Sequence, residues 1–306
     1  MELGTKSSAS AYAPAKINVH LSVGERRADG FHSLLSIFQM IDLADFITIE
    51  LTRASQFSVM VDMGVFEPFS SNTMARAAQV FAKNHGLQAN VGINCIKKIP
   101  MEAGLGGGSS DAATVLLLLN TLCGTPFSAQ ELRDMGAQVG SDVPFFLGDS
   151  AAACVEGRGE VLTGIHSRSD LFGLVVMPVD TGISTTYAFS ELDAARAQGL
   201  QSYASPEKEA LIRMYSESPG AWHFHNDFRA VMGSLASLYD TLDSLVASEP
   251  GLFGTISGSG AAYCVLAEED TVLSRFRTKM KKIEANVTIY DIKCLHRAHS
   301  GVTVSL

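Results

Sequence analysis

The stretch that most restricts what this chain can fold into runs from Lys97 to Asn120: KKIPMEAGLGGGSSDAATVLLLLN. Glycine stands at 104, 106, 107 and 108, two serines and an aspartate follow, and an apolar run comes next. Upstream, Val91, Ile93, Cys95 and Ile99 share one face at period two, which predicts a strand over 91–99. Downstream, 109–122 reads as a buried helix closed by Gly124 and Pro126. The order is therefore strand, glycine loop, buried helix. A helix start leaves backbone N–H groups unpaired and carries partial positive charge. Glycines let a bulky anion come close to that backbone. Ser109 and Ser110 add hydroxyl donors, so the pattern predicts a phosphate site. A tight turn with a capped helix is the plainer alternative. A Walker A loop is excluded because no lysine follows the glycines. A dinucleotide fingerprint fails because Ser109 stands where its third glycine belongs, and the HRD and DFG motifs of protein kinases are absent.

Composition narrows the class. The 306 residues suit two domains of ordinary size, and 46% apolar against 18% charged residues predicts packed cores. The net charge of −9 disfavours nucleic acid as a partner, without excluding a small anionic ligand held by a few local donors. The longest apolar run, 112–119, is too short to span a membrane and is broken by Thr114; the N-terminus shows no secretory pattern. Five scattered cysteines without a CxxC predict buried thiols in a reducing, cytoplasmic setting. His223 and His225 form an HxH pair with no third ligand spaced to join them.

Elsewhere, Ile17, Val19, Leu21 and Val23 alternate with Lys16, Asn18, His20 and Ser22, predicting a strand with one buried and one polar face. Arg27 to Gly30 reads as a turn. Strands are predicted at 46–51, 151–155, 171–179, 261–267 and 287–294, and helices at 201–217, 231–247 and 270–285. Ser128-Ala129-Gln130-Glu131 is a capping box opening a helix to about Val139, with Gly140 at its C′ position and a loop at 141–144. Gly258-Ser259-Gly260 forms a second glycine stretch, either near a ligand or a turn into a strand. The pattern restarts near residue 165, which predicts domains at 1–165 and 166–306.

Three blocks carry a family resemblance: Pro14-Ala15-Lys16-Ile17-Asn18 with Arg27-Ala28-Asp29-Gly30-Phe31-His32; the loop Pro100 to Ser110 with Gly140-Ser141-Asp142-Val143-Pro144; and Thr255 to Gly260. Together they resemble the GHMP kinases, the family of galactokinase, homoserine kinase and mevalonate kinase. The first block resembles the branch whose acceptor is 4-diphosphocytidyl-2-C-methyl-D-erythritol, phosphorylated on its 2-hydroxyl in non-mevalonate isoprenoid biosynthesis. The resemblance implies a two-domain α/β (α+β) fold, with a left-handed β-α-β crossover in the N-terminal domain and a ferredoxin-like C-terminal domain. The implied cofactors are ATP and Mg²⁺, and the implied partner is a small cytidyl diphosphate sugar alcohol. Neither nucleic acid nor a membrane is expected, and the chain should be a monomer or homodimer.

By this resemblance Asp142 is the base that takes the hydroxyl proton, and Lys16 keeps it ionised and neutralises the transferring phosphoryl group. On pattern alone Lys16 reads as a solvated strand lysine, and Asp142 as the cap of a short helix starting near Pro144. The nucleotide falls to Pro100, Met101, Glu102, Ala103, Gly104, Leu105, Gly106, Gly107, Gly108, Ser109 and Ser110, with Ser110 the protein ligand for magnesium. The Glu102 carboxylate is expected to turn away from the phosphates. The acceptor falls to Asn18, Phe31, His32, Tyr187 and Gly258: Phe31 stacks on cytosine, His32 meets its edge, and Tyr187 is either a second stacking wall or a core residue. Asn226-Asp227-Phe228 reads as a cap and packing element. Two rivals stand beside this: a homoserine- or mevalonate-type kinase, and a catalytically silent nucleotide-binding protein on the same scaffold.

Overall fold

Two long neighbouring strands anchor the first half of the molecule. In this computed structural model, which describes residues 6–64, 72–179, 181–199, 206–283, 285–297 and 303–305, β1 (Ser7–Arg26) and β2 (His32–Arg53) pair antiparallel through a turn at 27–30. Gly30 closes that turn at φ 84°. β3 (Ser58–Asp62), α1 (Thr73–His85) and β4 (Ala89–Ile96) follow. β3 lies parallel to β4, so α1 is a crossover, while β4 pairs antiparallel with β2. Next come α2 (Gly107–Leu122), α3 (Ala129–Val139) and α4 (Val143–Phe146). β5 (Ala152–Gly157) and β6 (Val161–Gly164) form a hairpin joined to β2 through β5. α2 is apolar on nearly every side, so it cannot lie at a surface. It is enclosed by α1, α3, α4 and the first sheet.

The second half begins with β7 (Phe172–Pro178), then α5 (Thr185–Ala197), α6 (Lys208–Tyr215) and α7 (Ala236–Ala247). β8 (Phe253–Ile256), β9 (Tyr263–Ala267), α8 (Asp270–Met280) and β10 (Val287–Lys293) complete it. The sheet order is β10-β7-β9-β8 with every pair antiparallel. Counted within this half, that is fourth, first, third, second, the ferredoxin-like order. β11 (Thr303–Ser305) returns to the first sheet beside β1.

Several expected elements change in extent. β1 is far longer than the alternating stretch, and its polar side is not solvated: Lys16, Asn18, His20 and Ser22 are all buried. Gly106, Phe38 and Asp142 surround the Lys16 side chain, while Gly258, Phe224 and His225 of the second half meet Asn18, His20 and Ser22. Ile99 lies beyond its strand. The helix expected from 231 starts only at Ala236, after two 3₁₀ turns, because Gly233 sits at φ 53° and breaks the run. The capping box at Ser128 forms with both of its hydrogen bonds, but Gly140 ends α3 in extended rather than left-handed backbone. The helix expected at 201–217 is present as α6; positions 201–205 lie outside the described residues. α1 and α5 were not foreseen, although Asn72 before α1, Gly86 after it and Ser184 before α5 are readable caps.

Candidate active site

The middle of β1 is where both glycine stretches meet. Lys16 N–H donates to the Leu105 carbonyl at 2.9 Å, and Asn18 N–H donates to Ser257 Oγ at 3.1 Å. Ser257 Oγ in turn donates to the Gly104 carbonyl at 2.9 Å. Gly104 has φ 75°, and a Cβ there would lie 2.0 Å from the Ser257 carbonyl oxygen. A Cβ on Gly258 would lie 3.0 Å from Gly104. These two glycines are therefore needed so that the loops can touch each other. Gly106, at φ 69°, makes room for the Lys16 stem: a Cβ there would sit 2.9 Å from Lys16 Cγ. Gly107 and Gly108 open α2, and among the described residues their N–H groups meet no acceptor.

One cavity of about 960 Å³ joins these parts. It is lined by Lys16, Asn18, Phe31 and His32, by every residue from Pro100 to Ser109, and by Asp142 and Gly258. Lys16 Nζ donates to Asn18 Oδ1 at 2.5 Å, lies 4.3 Å from the centre of the Phe38 ring, and stands 3.6 Å from Asp142 Oδ2. Burial pulls the Lys16 ammonium below the ordinary lysine value, and the Asp142 carboxylate works against that fall. Asp142 occupies the N-cap position of α4, but its side chain makes no capping bond. The plainer reading of that residue as a cap therefore does not hold, and its carboxylate faces the cavity beside Lys16. The Glu102 carboxylate lies against Gly182, where a Cβ would be 2.6 Å from Oε2.

Three further expected residues sit in positions the sequence did not reveal. Asn18 lines the cavity, yet both polar atoms of its side chain are already bonded: Oδ1 also accepts from Gly258 N–H at 2.9 Å, and Nδ2 donates to Ser36 Oγ at 2.9 Å. Ser110 is buried behind the loop and does not line the cavity; among the described residues its Oγ has no hydrogen-bond partner. Tyr187 is 58% exposed and does not line the cavity either. Phe189 does, because two steps along a helix turn a side chain to the other face. The Phe189 ring stacks on His32 at 5.2 Å. His32 Nδ1–H donates to the Gly24 carbonyl at 3.0 Å, and its Nε2 lies 3.2 Å from Asp193. Phe31, 56% exposed, projects nearby. Asn226 behaves as the sequence suggested, capping a 3₁₀ turn at Phe228 N–H, and its Nδ2 also holds the Ile256 and Gly258 carbonyls.

A buried cluster under the loop escaped sequence reading. Lys97 Nζ sits 2.5 Å from Asp45 Oδ2 and 2.6 Å from Asp111 Oδ2, next to Gly107. Asp45 Oδ1 also accepts the N–H groups of Lys98 and Ile99, which fixes the start of the loop. Two carboxylates share one ammonium here, so burial pushes the Asp111 carboxyl up to about 7 even though Lys97 opposes the rise. Asp45 and Lys97 lie far apart in sequence, and only the pairing of β2 with β4 brings them together.

Comparison with known proteins agrees with this geometry. Residues 72–155 match the GHMP kinases N terminal domain family. The chain is 36% identical over 285 residues to a 4-diphosphocytidyl-2-C-methyl-D-erythritol kinase of Treponema pallidum, covering 90% of this chain and 95% of that one. A protein of the same name from Rhodococcus jostii is 37% identical, covering 84% and 83%. A crystal structure of 4-(cytidine 5'-diphospho)-2C-methyl-D-erythritol kinase superposes with a TM-score of 0.72 at 27% identity, over 93% of this chain and 99% of that one. A homoserine kinase from Cytophaga hutchinsonii reaches 0.71 at only 14% identity, over 100% and 99%, a likeness of fold alone.

Proposed function

The chain belongs to the 4-diphosphocytidyl-2-C-methyl-D-erythritol kinases of the GHMP kinase family, and on that premise we propose that Lys16 and Asp142 carry its phosphoryl transfer from ATP to the acceptor 2-hydroxyl. The observation behind this is their meeting: residues from distant parts of the chain stand 3.6 Å apart in the cavity that the glycine loop also lines. Phosphoryl transfer needs alignment and charge stabilisation more than covalent help from the protein. The N–H groups of Gly107 and Gly108, at the positive end of a sixteen-residue helix, suit a phosphate chain. Lys16 supplies the cation where charge develops, and Asp142 receives the hydroxyl proton. A carboxylate is a weak base towards an alcohol, which suffices when the transition state is loose.

A magnesium ion would come with the nucleotide, held by its phosphates and water; among the described residues no three His, Cys, Asp or Glu side chains are grouped to hold a metal. Ser110 Oγ, fully buried and outside the cavity lining, is not placed to join its shell in this structure. Such an ion would neutralise phosphate charge. For the acceptor, Phe31, His32 and Phe189 form an aromatic wall suited to a flat base, a feature with no use in a homoserine- or mevalonate-type enzyme. We divide the chain at residue 165, where it leaves β6 for β7. We place the protein in the cytoplasm, in keeping with its five free thiols.

An ADP-release assay across cytidyl, homoserine and mevalonate acceptors tests the activity, and turnover should appear with the cytidyl compound. Asp142→Asn should lower kcat at least about a hundredfold while nucleotide affinity stays within about twofold. Unchanged turnover would remove Asp142 from the mechanism.

A further inference from the structure

The acceptor taken in the proposed function carries a diphosphate between its base and its reacting sugar alcohol, and this inference rests on that reading. Several polar groups that line the cavity are already committed. Gly258 N–H donates to Asn18 Oδ1, which also accepts from Lys16, and Asn18 Nδ2 donates to Ser36. Both His32 nitrogens face acceptors. Lys16 pairs with Asp142, and Lys97 is held by two carboxylates.

The β5–β6 hairpin supplies another cation. Its tip turns through Gly157 at φ 73° and Gly159 at φ 113°. On one side the tip abuts the reaction centre, where a Cβ on Gly159 would lie 3.7 Å from Asp142 Oδ1. On the other it reaches the base wall, with the Arg158 guanidinium 5.1 Å from the Phe31 ring centre. Arg158 lines the cavity, and its only ion pair among the described residues is a loose one to Glu160 at 3.9 Å. We propose that Arg158 is the residue that binds the acceptor's diphosphate, spanning the gap between the cytosine wall and Asp142. A guanidinium suits this task because its planar fork can meet two phosphate oxygens while its face rests on an aromatic ring.

Titration of cytidine and of cytidine 5′-diphosphate against the full chain tests the assignment. The wild-type protein should prefer the diphosphate by about tenfold or more. Arg158→Ala should keep the affinity for cytidine and lose that preference, Arg158→Gln should do the same, and Arg158→Lys should recover part of it. In turnover, the loss should fall on KM for the cytidyl acceptor and leave KM for ATP in place. An equal loss of both titrants would mean that Arg158 merely props Phe31, and would overturn the assignment, as would an unchanged preference. If the wild-type protein turned over no cytidyl acceptor, the proposed acceptor would fall and this inference with it. Wild-type turnover combined with an intact preference in Arg158→Ala would remove only the inference.

Discussion

Three consecutive polar positions on one side of β1 solve burial in three ways. Lys16 is paired with a carboxylate and rests on an aromatic face. Asn18 is an amide with each polar atom bonded. His20 is kept neutral: it accepts the His225 N–H at Nδ1 and meets Ser22 Oγ at Nε2, and burial drives its pKa down to about 3. The sign of the pH effect follows. The unfolded histidine titrates near 6.5, so the unfolded chain takes up the proton first, and the stability His20 provides is lost as pH falls from 6.5 towards 3. Each pH unit in that window costs about 1.4 kcal/mol, or about 2 kcal/mol by pH 5. Asp111, raised to about 7, acts oppositely over the same range by taking up a proton in the folded state. The comparison that isolates His20 is therefore wild type against His20→Gln in urea unfolding at pH 7 and pH 5. The variant should lose less stability between the two; parallel losses would show that His20 is not sealed.

At the scale of the element, the glycine loop divides its glycines between two tasks. Gly104→Ala would press a methyl into the Ser257 carbonyl at a positive φ. Overpacking and left-handed strain together should cost about 2–4 kcal/mol, seen as a lower unfolding midpoint. Gly108→Ala meets only Thr73 Oγ1 at 3.3 Å in helical backbone. It should cost less than about 1 kcal/mol in stability while raising KM for ATP. If Gly108→Ala left ATP binding untouched, close approach of phosphate to that residue would be wrong. Beneath the loop, Lys97→Met would leave Asp45 and Asp111 buried without their cation. A loss of about 3–5 kcal/mol in thermal unfolding is expected.

Across the whole molecule, the two sheets share an apolar cluster in which Ile17, Val19 and Ile37 of the first meet Val175, Cys264 and Leu266 of the second, and a polar seam runs beside it. Ala262 N–H donates to the Ala103 carbonyl, Ile183 N–H to Glu102, and Val23 N–H to Asp227 Oδ2. Tyr215 and the Arg168 N–H meet at Gln39 Oε1, and Asn18 holds Gly258. Such a seam fixes orientation at modest net stability, since each bond replaces one to water. Asn18→Ala should therefore reduce turnover by more than its loss of about 2–4 kcal/mol in stability would suggest, because it releases Lys16 and the second glycine loop together. A variant with normal kcat and a lowered melting temperature would make Asn18 merely structural.

The amino-acid order alone determined the local features: the glycine loop before a buried helix, the capping box at Ser128, the turn at 27–30, and the family pattern that pointed to Lys16 and Asp142. These depend on neighbours within a few residues, where period, caps and glycine freedom act. Tertiary structure alone decided what the polar side of β1 faces, that Gly104 and Gly258 serve each other, that Phe189 rather than Tyr187 reaches the cavity, and that Asp45, Lys97 and Asp111 share one charge cluster. Those facts depend on which distant segments come to lie within a few ångströms, and a strand's alternation reads the same whether water or distant loops cover its polar side.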